Sequence, residues 1–238
     1  MVANTPSNAD LAVALDNTHH LTYFPFHGLA GCIRATLAIS GEPYKQTILT
    51  FADWAVTKPL MPFGHVPLLR EETKCGKTLE LAEISTIEQF LAQRFGLLGK
   101  DLWEEYQIKM FLSSTHALVT FLTHTVVQSP KEDRPAFLER FKKNNLKEWV
   151  TSHEKHLKYN GSNGHYVGDQ LSIADIKTAS FVDHLARIGA EEVVISEEAT
   201  PAIWKVKSTL EQNPKYAEWM NSDQFKSFTE ANLRFFGY

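Results

Sequence analysis

Residues 62–69 constrain the fold more than any other stretch, because a proline stands at the entrance of a predicted strand. Proline has no backbone N–H to donate to a sheet, so Pro67 predicts a strand edge or a special turn. X-Pro bonds also become cis at small cost, typically in tight turns. A cis Val66-Pro67 bond would leave the N–H and C=O of Val66 free to pair with an extended, peptide-like ligand. The alternative is an ordinary trans proline, because only about 5% of X-Pro bonds are cis.

Strand and helix patterns alternate on both sides of this segment. Apolar and β-branched runs predict strands, and apolar residues three and four apart predict helices. The resulting order, β-α-β-α-β-β-α, favours a parallel strand pair followed by an antiparallel hairpin, which together form a four-stranded mixed sheet. The predicted strands are residues 21–24, 44–50, 66–70 and 78–81; the predicted helices are residues 29–40, 51–58 and 84–95.

The pattern changes after Gly99, where no further strand is predicted. Ser172 and Asp175 have the spacing of a capping box at the start of a buried helix. The apolar residues near the end, 233–238, are expected to dock on the rest of the chain. We therefore predict a mobile tail over residues 1–18, an α/β domain over 19–97 and an all-α domain over 99–238. The predicted helices of the last domain are residues 101–127, 130–159, 173–188, 200–212 and 215–220.

Composition limits the partners and the compartment. The net charge is −4 without a basic block, so nucleic acid is not an expected partner. We find no run of about 18 apolar residues, so no membrane span is predicted. Cys32 and Cys75 fit neither a disulfide framework nor a metal motif, and a reducing cytoplasm is the simplest location. The ten histidines include the pairs His153/His156 and His116/His124 but lack other ligands at metal-binding spacing, so no metal site is expected.

Four separated signatures resemble those of one family. They are Tyr23 with Gly28 and Arg34; Trp54 with Lys58; Pro-Phe-Gly-His-Val-Pro at residues 62–67; and Gly-Asp-Gln-Leu-Ser-Ile-Ala-Asp at residues 168–175. In this order and spacing the chain resembles the cytosolic glutathione transferases, most closely the sigma-like group. The resemblance implies a thioredoxin-like first domain, a cis Val66-Pro67 bond and a homodimer. It also implies glutathione as co-substrate on the first domain, and a hydrophobic small molecule, the electrophile, between the two domains.

The resemblance also implies roles for individual residues. An unperturbed thiol has a pKa of about 8.5, and a hydrogen-bond donor aimed at the sulfur favours the reactive thiolate. Tyr23 stands in the position of the family's catalytic tyrosine and is the expected donor. The expected glutathione-binding residues are Trp54, Lys58, His65, Val66, Pro67, Glu83 and Ser85. The expected electrophile site is lined by Phe24, Phe26, Leu29, Ile108, Phe111, His116, Phe235 and Phe236.

Three residues depart from the family pattern around the γ-glutamyl end of glutathione. Ile84 occupies the usual serine position, and Ser85 follows one residue later, about 100° around a helix. Lys109 replaces an aspartate, and His27 replaces an arginine. One lost charged hydrogen bond costs about 1.5–3 kcal/mol, or tenfold or more in affinity. We therefore expect weakened glutathione binding, or another ligand in the groove.

Three functions remain open from the sequence. The first is a glutathione transferase that conjugates or isomerises an apolar electrophile, in detoxification or secondary metabolism. The second is a binding protein for hydrophobic ligands on the same scaffold. The third is a dedicated biosynthetic isomerase or cyclase that can act without glutathione. Tyr23, Trp54 and Lys58 favour the first, whereas the three departures favour the other two.

Overall fold

The computed structural model describes residues 7–12, 14, 16–188 and 195–236, with the side chain of Phe236 outside the description. Four strands form one mixed sheet in the order β2-β1-β3-β4. β1 runs parallel to β2 and antiparallel to β3, and β3 is antiparallel to β4. The predicted fold class is confirmed. The strands are β1 Thr18–Tyr23, β2 Tyr44–Ile48, β3 Leu68–Glu72 and β4 Thr78–Ala82.

Strand β1 begins three residues earlier than predicted, because His19 and His20 lack the apolar or β-branched side chains that indicate a strand. His19 is fully buried, with Nδ1 2.6 Å from Glu71 Oε1 and Nε2 2.9 Å from Glu42 Oε2. These carboxylate partners offset the cost of placing a polar ring inside the sheet. The helices of this part are α1 Asn8–Ala12, α2 Gly31–Ser40, α3 Phe51–Thr57 and α4 Ile84–Arg94, and a 3-10 turn, Gly28–Ala30, precedes α2.

The second half is helical wherever the structure describes regular elements. Its central helix, α8 Ile173–Arg187, packs against α2 and against the helices Leu102–Leu122 and Pro201–Glu211. The others are α5 Leu102–Leu122, α6 Arg134–Phe141, α7 Lys147–Tyr159, α9 Pro201–Glu211, α10 Pro214–Asn221 and α11 Asp223–Phe236, with π-helical segments at Thr123–Val127 and Lys142–Leu146.

The stretch Leu102–Val127 is long and apolar enough to cross a membrane by length and composition alone, contrary to the sequence prediction. In this fold it is an amphipathic helix packed on α8. Its inner residues Ile108, Leu112 and Leu122 are buried in the helical core. A core helix of a helical domain has this pattern as well.

The capping box at the start of α8 is confirmed. The Ser172 N–H donates to Asp175 Oδ2 over 2.8 Å, and the Asp175 N–H donates back to Ser172 Oγ over 3.4 Å. Asp175 Oδ1 also accepts from the Tyr166 N–H, at 2.8 Å. The carboxylate therefore joins the loop before α8 to the helix itself.

The domain boundaries remain predictions. Residues 1–6 of the predicted tail lie outside the described residues. Within residues 7–18, Leu11 is buried, its carbonyl accepts from Asn17 Nδ2, and Ala14 O accepts from Arg94. The described part of the predicted tail therefore packs on the first domain.

Candidate functional site

The register of the sheet brings the predicted site residues to one edge, the end of the sheet at which β1, β2 and β4 finish and β3 begins. Leu68 lies opposite Thr22 on one side and opposite Ala82 on the other. Tyr23 lies beside Ile48, the last residue of β2. Because these pairs stand at the ends of their strands, the segments containing Phe24, Trp54, Val66 and Glu83 all leave the sheet at this edge.

Tyr23 is buried at this edge, and its hydroxyl points at the turn before α2. Its Oη accepts from the Leu29 N–H over 3.0 Å. A phenol that accepts one hydrogen bond keeps its own proton for donation. Burial raises the pKa of Tyr23 to about 12, against the opposing effects of the Leu29 N–H and the Arg34 charge. The phenol therefore stays protonated near neutral pH and can act as a hydrogen-bond donor.

Arg34 holds the loop after Tyr23, a role not predicted from the sequence. The guanidinium is fully buried and donates to the carbonyls of Phe26, at 2.6 Å, and Phe24, at 3.1 Å. It lies 4.2 Å from the ring centroid of Phe228 on α11. One buried cation therefore joins the loop, the sheet and the last helix, and a charged residue within an apolar helix was the available sequence signal.

Gly28 leaves room for both Tyr23 and Phe26. A Cβ at position 28 would lie 2.8 Å from Tyr23 Oη and 2.9 Å from Phe26 Cε2, on a backbone with φ of +40°. Gly28→Ala is expected to destabilise the fold by about 1–3 kcal/mol and to displace the Tyr23 hydroxyl. Gly31→Ala is the matched control, because its Cβ would meet only His27 Cβ, at 3.8 Å, on helical backbone. Thermal unfolding and turnover of both variants test this, and equal behaviour would contradict it.

The Val66-Pro67 bond is cis, as predicted. Among the described residues, the N–H and C=O of Val66 make no backbone hydrogen bond outside the sheet, and Val66 precedes the start of β3. Glu83, which follows β4, has φ of +69° and ψ of 125° without capping α4 through its side chain. A strained non-glycine residue beside unpaired backbone groups is typical of a ligand site.

Comparisons with known proteins point to one family. The family described as "Glutathione S-transferase, C-terminal domain" matches residues 118–223. Probable glutathione S-transferase 8 of Caenorhabditis elegans is 27% identical over 212 residues, which cover 86% of this chain and 96% of the relative. The sigma class GST of Fasciola hepatica superposes with a TM-score of 0.75 at 25% identity, over 86% of this chain and 95% of the other. Over most of its length the chain is similar to cytosolic glutathione transferases, and residues 118–223 match the C-terminal domain of that family.

In a glutathione transferase the expected carboxylate-binding pair is Trp54 and Lys58. The indole of Trp54 is half-buried and meets Phe24 edge-on, with ring centroids 5.6 Å apart. Lys58 is exposed, with its side chain beside Gly64. His65 is exposed and Ser85 half-buried, and these residues stay predictions as glutathione contacts. No group of three or more His, Cys, Asp or Glu side chains among the described residues could hold a metal ion.

The three departures from the family pattern have distinct surroundings. His27 is buried against α11, where its Nε2 lies 3.0 Å from Thr229 Oγ1 and 3.2 Å from Phe225 O. Burial lowers its pKa to about 2, so the ring is neutral. Lys109 pairs with Glu105 on its own helix. Ile84 is half-buried at the first position of α4, beside Glu83.

The residues expected to bind the electrophile separate into two groups. Phe24, Phe26, Leu29 and Phe235 belong to or pack on the core of the sheet domain, around Tyr23. Ile108 and Phe111 lie in the helical core instead, and Phe111 stacks on Tyr166 with centroids 4.6 Å apart. Phe111 also meets His153 and His156 of α7 edge-on, and as contacts of the electrophile Ile108 and Phe111 stay predictions. His116 is half-buried, with its pKa lowered by burial and by Lys177.

Proposed function

We propose that the protein is a glutathione transferase in which Tyr23 donates a hydrogen bond to the glutathione sulfur. The thiolate is the nucleophile, and a neutral donor at the sulfur lowers the thiol pKa by favouring the charged form. The observation that carries this proposal is the buried Tyr23 hydroxyl, whose pKa is raised by burial, at the same sheet edge as Val66, whose N–H and C=O make no backbone hydrogen bond outside the sheet among the described residues. The cysteinyl backbone of glutathione would pair with Val66.

The other contacts to glutathione follow from the chemistry of the groove. Trp54 Nε1–H and the Lys58 ammonium are donors suited to the glycyl carboxylate. Glu83 carries the charge suited to the γ-glutamyl ammonium, and Ser85 and the N-terminus of α4 suit its carboxylate. The hydrophobic electrophile would bind over Phe24, Phe26 and Leu29. The thiolate attacks its electrophilic carbon, so that a C–S bond forms and the bond to the leaving group breaks; with a chloro-dinitroarene the leaving group is chloride, which departs with the electron pair of the C–Cl bond.

A conjugation assay with a chloro-dinitroarene tests the proposal, with binding of glutathione measured by calorimetry. Turnover above the uncatalysed rate, together with binding, supports it. The dipeptide Cys-Gly is the matched control, because it lacks only the γ-glutamyl residue. Glutathione binding without turnover would favour a carrier of hydrophobic ligands, and neither binding nor turnover would favour a dedicated isomerase or cyclase.

Ile84→Ser is expected to tighten glutathione binding about tenfold, by restoring one hydrogen bond to a charged group. Calorimetry measures the change in Kd. Ser85→Ala is the matched comparison at the next position, and it tests whether the hydroxyl now present already serves the γ-glutamyl end. An unchanged Kd for Ile84→Ser would show that the isoleucine does not weaken the site.

We also propose a cytoplasmic homodimer, supported by large apolar side chains on the surface of this chain. Phe63 is 66% exposed, and Trp103, Tyr106 and Met110 on α5 are each more than half exposed. Burying such a surface in a symmetric pair is a common solution for homo-oligomers. Sedimentation equilibrium is expected to give twice the 27.0 kDa chain mass, and a single species at the chain mass would contradict this.

A further inference from the structure

Four phenylalanine rings lie nearly parallel beside Tyr23. Phe24 stacks on Phe26, with centroids 5.6 Å apart and planes 6° apart, and on Phe51, at 5.0 Å and 22°. Phe235 of α11 stacks on the same two rings, at 4.9 Å and 15° from Phe26 and at 5.0 Å and 10° from Phe51. Phe26 and Phe51 therefore present flat faces to two other rings, one from the loop after β1 and one from the last turn of α11.

The reacting end of the site is adjacent to this stack. The Tyr23 ring meets Phe24 and Phe26 edge-on, with centroids 5.7 and 5.6 Å away. A thiolate held by the Tyr23 hydroxyl would thus face the stacked rings. Phe235 is the ring that α11 contributes to this aromatic surface.

Helix α11 is held by contacts upstream of Phe235. His27 bonds to Phe225 O and Thr229 Oγ1, and Gln46 Nε2 donates to Gln224 Oε1 over 3.0 Å. Arg34 lies over the Phe228 ring, and the Gly28 N–H lies 3.4 Å from Asn232 Oδ1. These contacts dock the helix independently of the Phe235 ring.

We propose that the Phe235 side chain occupies the binding site of a planar aromatic ring of the electrophile. Such a ligand binds by displacing Phe235 together with the last turn of α11. This inference rests on the proposed function. Parallel ring faces at offset-stacking distance favour flat π-systems over saturated rings of equal size. A ligand ring that takes the place of Phe235 recovers the contacts with Phe26 and Phe51, so its affinity is set by competition with that side chain.

The test measures binding of 2-naphthol and of its saturated counterpart, decahydro-2-naphthol, by calorimetry. Phe235→Ala removes the competing ring, and 2-naphthol is expected to bind about five- to a hundredfold more tightly to it than to wild type, from the energy of two stacked pairs. The saturated alcohol is expected to gain much less. Leu233→Ala is the matched control, because Leu233 is a 41% exposed residue of the same helix.

Phe235→Leu serves as a second variant that keeps an apolar side chain on the helix. It is expected to bind 2-naphthol more tightly than wild type as well. Hydrogen exchange of residues 230–236 is expected to speed up when wild type binds 2-naphthol. Weaker or unchanged 2-naphthol binding in both Phe235 variants, or equal gains for the two alcohols, would overturn the inference.

Glutathione binding, measured in the same samples, separates this inference from the proposed function. If wild type binds and conjugates glutathione but the Phe235 variants leave 2-naphthol binding unchanged, only the inference about the aromatic ring site at Phe235 is wrong. If no sample binds glutathione while 2-naphthol binds more tightly to Phe235→Ala, the aromatic ring site at Phe235 exists and the transferase proposal fails.

Discussion

Lys177→Met is expected to lower the free energy of unfolding by about 3–5 kcal/mol, because it leaves a carboxylate buried without a counter-charge. Lys177 Nζ on α8 donates to Glu88 Oε1 on α4 over 2.6 Å, and both side chains are buried. Glu88 Oε2 has no hydrogen-bond partner among the described residues. The pair joins the sheet domain to the helical domain, and chemical denaturation measures the loss.

Two comparisons isolate the buried charge as the cause. The double variant Glu88→Leu/Lys177→Met removes both charges and is expected to recover most of the lost stability, because apolar replacement of a buried pair is often near neutral. Lys100→Met breaks an exposed pair with Asp169, 2.8 Å long, and is expected to cost less than about 1 kcal/mol. A double variant no more stable than Lys177→Met would refute this explanation.

Tyr23→Phe is expected to reduce kcat/KM for conjugation at neutral pH about 10- to 150-fold, the value of one hydrogen bond to a charged group. The hydroxyl stabilises the thiolate, so its removal raises the pKa of the bound thiol toward about 8.5. The pH profile of kcat/KM should therefore shift to alkaline pH, and the deficit should shrink once the free thiol ionises. The variant also leaves the Leu29 N–H without its acceptor, so its stability is measured in parallel.

Tyr44→Phe provides the matched control for a lost phenol. Tyr44 begins β2 and pairs with His19, at the opposite end of the sheet from Tyr23. Its hydroxyl has a long contact of 3.4 Å with Gln46 Nε2. We expect its pH profile to match wild type. An unshifted profile for Tyr23→Phe would assign Tyr23 to the core and remove it from the mechanism.

The sheet domain could be predicted because local signals agreed with its topology. Gly41 and Gly96 mark the ends of helices, both with positive φ, and the Val66-Pro67 turn marks the entry to β3. The position of Tyr23 at the end of β1 then followed from strand order. The start of β1 could not be predicted, because the buried position of His19 depends on Glu42 and Glu71, which are distant in sequence.

Helix α11 was not predicted as a helix, although Ser222, Phe225 and Phe228 carried a signal. Ser222 Oγ accepts from the Phe225 N–H, and the phenylalanines recur at helical spacing. The docking of α11 on His27 depends on tertiary contact that no local pattern encodes. The same limit applies to Phe111, because helical periodicity indicates that the residue is buried but not that its ring stacks on Tyr166.

The docking of α11 determines when the fold can be completed during synthesis of the chain. The residues that hold His27 lie 198 and 202 positions after it in the chain. At about 5–20 residues per second, a ribosome needs about 10–40 s to make that stretch. During this interval the nascent first domain would expose the faces of Phe26 and Phe51 to other chains and to chaperones. A ribosome paused before residue 225 would therefore hold a folded sheet with an uncovered aromatic surface.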